Sequence, residues 1–122
     1  MKFSFPLILT LAAVSIMSLP AMAATTALTP AQIKADFGTG KSISGVAVPG
    51  GRRYSLTLGT DGTAQMTMLN DKSTRTGTWK VSKTGYCSKW GSNAEHCYTI
   101  QENGKQFDVL NQAGTVIAHW TK

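Results

Sequence analysis

From Ile43 to the C-terminus, apolar and polar residues alternate with a period of two, in runs broken roughly every ten positions by turn-forming residues. This pattern predicts about eight strands, near 43–48, 52–59, 63–70, 74–82, 85–90, 95–102, 105–111 and 115–121. Links this short join antiparallel neighbours, because a parallel crossover needs a dozen residues or more. The expected fold is therefore all-β: an antiparallel meander forming a small up-and-down barrel or a strongly curved sheet.

The turns test that expectation, since a one-residue slip moves every side chain to the other face. A three-residue loop at Thr60-Asp61-Gly62 pairs Leu58 with Ala64, Leu56 with Met66 and Tyr54 with Met68, placing all six on one face. A two-residue turn at Asn103-Gly104 pairs Ile100 with Phe107 and Tyr98 with Val109. The link from Ser82 to Gly85 pairs Val81 with Tyr86 and sets the Trp90 indole over Gly77. The last hairpin allows two registers: Val109 opposite Ile117 with Phe107 opposite His119, or Val109 opposite Val116 with Phe107 opposite Ala118. The face of His119 stays open between them.

Ahead of the strands the period changes. Thr29-Pro30-Ala31-Gln32 has the form of a capping box with proline at the first helical position, and Leu28 can staple onto Ile33. Ile33 and Phe37, four apart, give one short helix over about 30–37 an apolar edge, and Gly38 is expected to stop it. Two turns of helix need a sheet to lie against. Further upstream, Lys2, an apolar run from Phe3 to Leu19 and the small-residue sequence Ala21-Met22-Ala23 read as a cleavable export signal. A transmembrane anchor fits less well, because Pro6 interrupts the run and no basic cluster ends it. The expectation is a signal peptide over 1–23 and one domain over 24–122, with no transmembrane segment after cleavage and a periplasmic or secreted bacterial location.

Charge narrows the partners only a little. Loss of Lys2 with the leader leaves 11 basic against 6 acidic side chains, a net charge of about +5. That favours an anionic surface or ligand. Arg52-Arg53 is the one basic doublet, so no specific nucleic-acid partner is expected.

The two cysteines, Cys87 and Cys97, fall opposite each other if they share a hairpin with Gly91-Ser92-Asn93 as its loop. The same register sets Lys89 opposite Glu95, Tyr86 opposite Tyr98 and Ser88 opposite His96. Alternation puts both sulfurs on a polar face and Tyr86, Trp90, Tyr98 and Ile100 on the apolar one. A structural disulfide in an oxidising compartment follows. A thioredoxin-like role lacks its Cys-x-x-Cys, and a zinc site lacks a common face for His96 and Cys97.

Gly77-Thr78-Trp79, Cys87-Ser88-Lys89-Trp90, Cys97-Tyr98 and the following Gly104 also resemble a family of small exported bacterial proteins of unknown function, with a G-x-W … C-x-x-W … C-[FY] … G core. The resemblance spans roughly residues 43–120. It implies a periplasmic β-rich domain and brings no catalytic residues with it.

No catalytic motif stands out. Asp61 and Asp71 read as turn residues, Asp36 belongs to the helix and Glu95 has Lys89. No acidic pair is forced together on the inner face, and no G-x-S-x-G or phosphate-binding loop follows a strand. Met66 and Met68 could hold Cu(I), but their register makes them core neighbours, and neither a metal nor a cofactor is expected. The stronger lead is the aromatic face. Tyr54, Trp79, Tyr86, Trp90 and Tyr98 converge there, with Arg52, Arg53 or His96 available for a polar end. The expectation is a non-enzymatic exported domain that binds a small amphipathic or anionic ligand or an envelope component. The alternative is a protein-binding module, such as an inhibitor of a secreted hydrolase or an envelope stress factor.

Overall fold

The computed structural model describes residues 25–122; the leader expected over 1–23 lies outside the described residues. A two-residue strand, β1 (Thr26–Ala27), precedes the helix α1 (Pro30–Asp36). Eight strands follow: β2 (Ser42–Ala47), β3 (Arg53–Leu58), β4 (Thr63–Met68), β5 (Thr74–Val81), β6 (Tyr86–Trp90), β7 (His96–Asn103), β8 (Gln106–Leu110) and β9 (Val116–Thr121). Each of these pairs antiparallel with the next, and β9 returns to β2, so the meander closes into an eight-stranded barrel.

Most expected registers are present. Leu58–Ala64, Leu56–Met66 and Tyr54–Met68 face each other, as do Val81–Tyr86, Gly77–Trp90 and Tyr86–Tyr98. Two hairpins differ from the sequence reading. At the β7–β8 turn, Asn103 pairs with Gln106, so Ile100 faces Val109 and Glu102 faces Phe107. The loop is thus Gly104-Lys105, with Gly104 at φ +63° in the first central position, the site a type II′ turn reserves for glycine. The shift is an even number of residues, so every inward side chain remains inward. At the β8–β9 turn neither proposed register runs the whole length. Leu110 faces Val116, but a bulge at Ile117 then advances β9 by one, setting Val109 opposite Ala118 and Phe107 opposite Trp120. That extra residue turns Trp120 into the core and His119 outward.

β1 was not expected, and strand lengths explain it. β7 has eight residues but β6 only five, and their pairing ends at Tyr86–Tyr98. An unpaired edge is left at Gln101 and Glu102, and Ala27 and Thr26 occupy it. The Leu28 amide extends the ladder by donating to Ile100 O at 2.8 Å.

α1 plugs one end of the barrel. Its cap is reciprocal: the Gln32 amide donates to Thr29 Oγ1 at 3.2 Å, and the Thr29 amide donates to Gln32 Oε1 at 2.8 Å. Ile33 and Phe37 are both 0% exposed, and the Phe37 ring meets the Phe107 and Trp120 rings edge-on at 4.9 and 5.3 Å. Burial of each such side chain stabilises the fold by about 1.5–3 kcal/mol. Gly38 serves this contact by its small size, because a Cβ there would collide with the Trp79 ring.

Candidate functional site: the mouth opposite the helix

Strand direction separates the two ends of the barrel. α1 and the links 59–62, 82–85 and 104–105 lie at the closed end, and the links 48–52, 69–73, 91–95 and 111–115 ring the mouth. The inward residues nearest the mouth are only partly covered: Met66, Met68, Trp90, Tyr98 and Ile117 pack against the core without being sealed by it. Those deeper or nearer the helix, including Leu58, Trp79 and Phe107, are buried.

Below Trp90 lies an interior cavity of about 80 Å³, with Tyr54, Tyr86, Ser88, Tyr98 and Trp120 in its wall among aliphatic side chains. Trp120 Nε1 donates to Tyr54 Oη at 2.8 Å, which fixes the Tyr54 ring over Gly45, where a Cβ would not fit. Burial raises the pKa of all three tyrosines. For Tyr54 the Trp120 hydrogen bond partly offsets burial; for Tyr86, buried deepest, the nearby Tyr54 and Tyr98 oxygens add to it. The phenols are therefore neutral hydroxyl groups throughout the physiological range.

On the outer side of Trp90 a groove of about 410 Å³ is lined by Arg75, Thr76, Trp90 and the loop residues Gly91, Ser92 and Asn93. Arg75 faces Met66 across the β4–β5 ladder and has the inward parity of Gly77 and Trp79, so it projects from the inner face at the rim. Sequence reasoning passed over it, although the alternation upstream of Gly77-Thr78-Trp79 held the signal. A second groove, of about 290 Å³, runs between Glu95, His96, Tyr98 and the 111–113 turn.

The sequence-derived site residues therefore divide. Tyr54, Tyr86, Trp90 and Tyr98 come together around the cavity. Trp79 shares their face but sits at the closed end, where its Nε1 donates to Gly59 O at 2.8 Å. His96 is exposed at the rim. Arg52 and Arg53 are exposed at the mouth, and Arg53, adjacent to inward Tyr54, points outward.

Cys87 and Cys97 form the expected disulfide, on the far side of β6 from Tyr86, Ser88 and Trp90. Glu95 lies beside the two sulfurs, but a disulfide offers no thiolate to a metal. The expected Lys89–Glu95 pair is replaced: the β6–β7 ladder stops at Ser88–His96, and Glu95 reaches Lys80 at 3.5 Å instead. Lys80 is the cross-strand partner of Cys87, so it shares the disulfide's face.

One polar cluster on the barrel exterior was not expected. Asp108, 7% exposed, meets His119 Nδ1 at 2.7 Å and accepts from Asn103 Nδ2 at 3.1 Å and Gln106 Nε2 at 3.3 Å. It depends on the Ile117 bulge, which aligns His119 with Asp108.

Among the described residues no helix is long and apolar enough to cross a membrane. No family model matches the chain, and neither the curated proteins nor the solved structures contain a match to it.

Proposed function

We propose that the protein is an exported, non-enzymatic binding domain whose barrel mouth takes a small amphipathic ligand with an anionic end. The observation that carries this reading is the position of Trp90. Its half-covered indole separates a hydroxyl-bearing apolar cavity from an open groove that holds Arg75. An aromatic wall with one cation at the rim suits a ligand that is apolar at one end and negative at the other. The basic net charge favours approach of such a ligand. Export is supported by the leader-like sequence, by the resemblance to an exported family and by the disulfide, which persists in oxidising compartments.

Titration with the anionic fluorophore 8-anilinonaphthalene-1-sulfonate tests the reading. Saturable one-site binding is expected, weakened about tenfold by Arg75→Gln and unchanged by Lys105→Gln, which removes the same charge at the closed end. Equal effects of the two substitutions would refute a mouth site.

A protein-binding role draws on a separate observation. Val48 and Leu69 are exposed apolar side chains, 36% and 56% accessible, in two mouth links, and the Leu69 amide donates to Arg53 O at the start of β3, next to the first link. Arg52, Arg53 and Lys72, in or next to the same links, are exposed. Under this reading the contact is the 48–53 and 69–72 surface, and a partner captured from periplasm is lost on Val48→Ser/Leu69→Ser while fluorophore binding survives.

A further inference from the structure

The cavity beneath Trp90 is not uniformly apolar. Tyr86 and Ser88, each 5% exposed, line it, and their hydroxyl groups open onto its space without a protein hydrogen bond, since no fully buried side-chain oxygen among the described residues is left unpaired. Tyr54, 7% exposed, already accepts from Trp120 Nε1, so its own hydroxyl proton is still to be donated. Tyr98 brings a fourth hydroxyl from the facing strand. The side chains in this wall include no carboxylate or amide to accept these protons and no lysine or arginine to balance a charge. These hydroxyl groups are free to donate to whatever fills the cavity, whereas an anion brought there without a cation is costly. The wall therefore suits an acceptor that is polar but uncharged.

We propose that this inner chamber receives a neutral oxygen acceptor, the carbonyl of a ketone, amide or ester, at the far end of a ligand whose anionic end lies at Arg75. The inference rests on the mouth being a ligand site and names the chemistry of what enters it. Geometry sets the ligand's length. Ser88 is two residues below Trp90 on the same strand face, a descent of about 7 Å, which a single para-substituted aromatic ring spans. The bound molecule carries its negative charge in the groove, its ring against Trp90 and its carbonyl oxygen among the hydroxyls of Tyr86, Ser88 and Tyr54.

Two probes of matched shape separate the inference from the reading beneath it. 4-Acetylbenzoate and 4-isopropylbenzoate share the carboxylate and ring, and differ at the far end by a carbonyl oxygen in place of a methyl group. Titrated against the purified protein by tryptophan fluorescence and ligand-observed NMR, the acetyl compound should bind about tenfold more tightly. Tyr86→Phe/Ser88→Ala should reduce that ratio to about one by weakening the acetyl compound, and Ser88→Ala alone should reduce it in part. Equal affinities in the wild type, or preference for the isopropyl compound, would overturn the inference and leave the mouth site standing. Absence of saturable binding by either compound would overturn both.

Discussion

Replacing both cysteines, Cys87→Ala/Cys97→Ala, separates a structural staple from a functional sulfur site. The bridge closes a loop with a sequence separation of 10. In the chain-entropy account, a loop of that length removes about 2.7 kcal/mol of conformational freedom from the unfolded chain at 25 °C. A domain of this size unfolds with an entropy near 0.2 kcal/mol/K, so the melting temperature should fall by about 13 °C. Alanine is the appropriate replacement, because Cys87 is only 3% exposed and a serine would bury a new hydroxyl group. Circular dichroism melts of the oxidised wild type, the reduced wild type and the double variant should give two coincident low transitions and one high one. Probe binding at 25 °C should match across all three samples, since the disulfide and the mouth lie on opposite faces of β6. A loss of less than about 4 °C would refute the entropic argument. A folded variant that no longer binds would refute the separation of faces.

Other consequences are smaller or more local. Phe37→Ala should cost about 3–5 kcal/mol in urea unfolding, because the ring is wholly buried between Phe107 and Trp120. Asp108→Ala should cost about 1.5–3 kcal/mol through loss of charge-assisted hydrogen bonds, with mouth binding unaffected. Tyr86 and Tyr54 have pKa values raised by burial, so their stabilising contribution is complete below the unfolded tyrosine value near 10 and is lost as pH climbs through the folded values. Stability should therefore decline above about pH 10, and less steeply in Tyr86→Phe, as read by urea midpoints across that range. Intact mass spectrometry of the secreted protein should give a chain beginning at Ala24 and two hydrogens lighter than its reduced form.

The barrel was legible in the sequence to the extent that turns and parity constrain each other. Gly62 fixes one hairpin, and alternation on either side then forces Tyr54, Leu56, Leu58, Ala64, Met66 and Met68 inward together. The cysteine hairpin was equally determined, because Tyr86–Tyr98 and Cys87–Cys97 are satisfied by the same register. Closure depends on β2 meeting β9, a long-range contact that local pattern cannot specify. The Ile117 bulge left no local signature, and with it the Asp108–His119 contact was hidden. Asn103-Gly104 misled because the dipeptide suits a type I′ turn, whereas the chain uses Gly104 one position earlier in the loop. Trp79 and Trp90 carry the same inward parity, and only strand direction distinguishes the tryptophan at the helix end from the one at the mouth. Arg75 could have been found by extending the Gly77–Trp79 alternation two residues toward the mouth.

The mouth can be observed without altering it. Of the 5 methionines, only Met66 and Met68 lie among the described residues, both at the mouth. Protein labelled at methionine methyls and tryptophan indoles should be titrated with 8-anilinonaphthalene-1-sulfonate. Both methyl signals and the Trp90 indole are expected to shift saturably with one common affinity, while the Trp79 indole at the helix-plugged end stays in place. Shifts confined to Trp79, or methyl signals that do not move at saturation, would contradict a binding site at the barrel mouth.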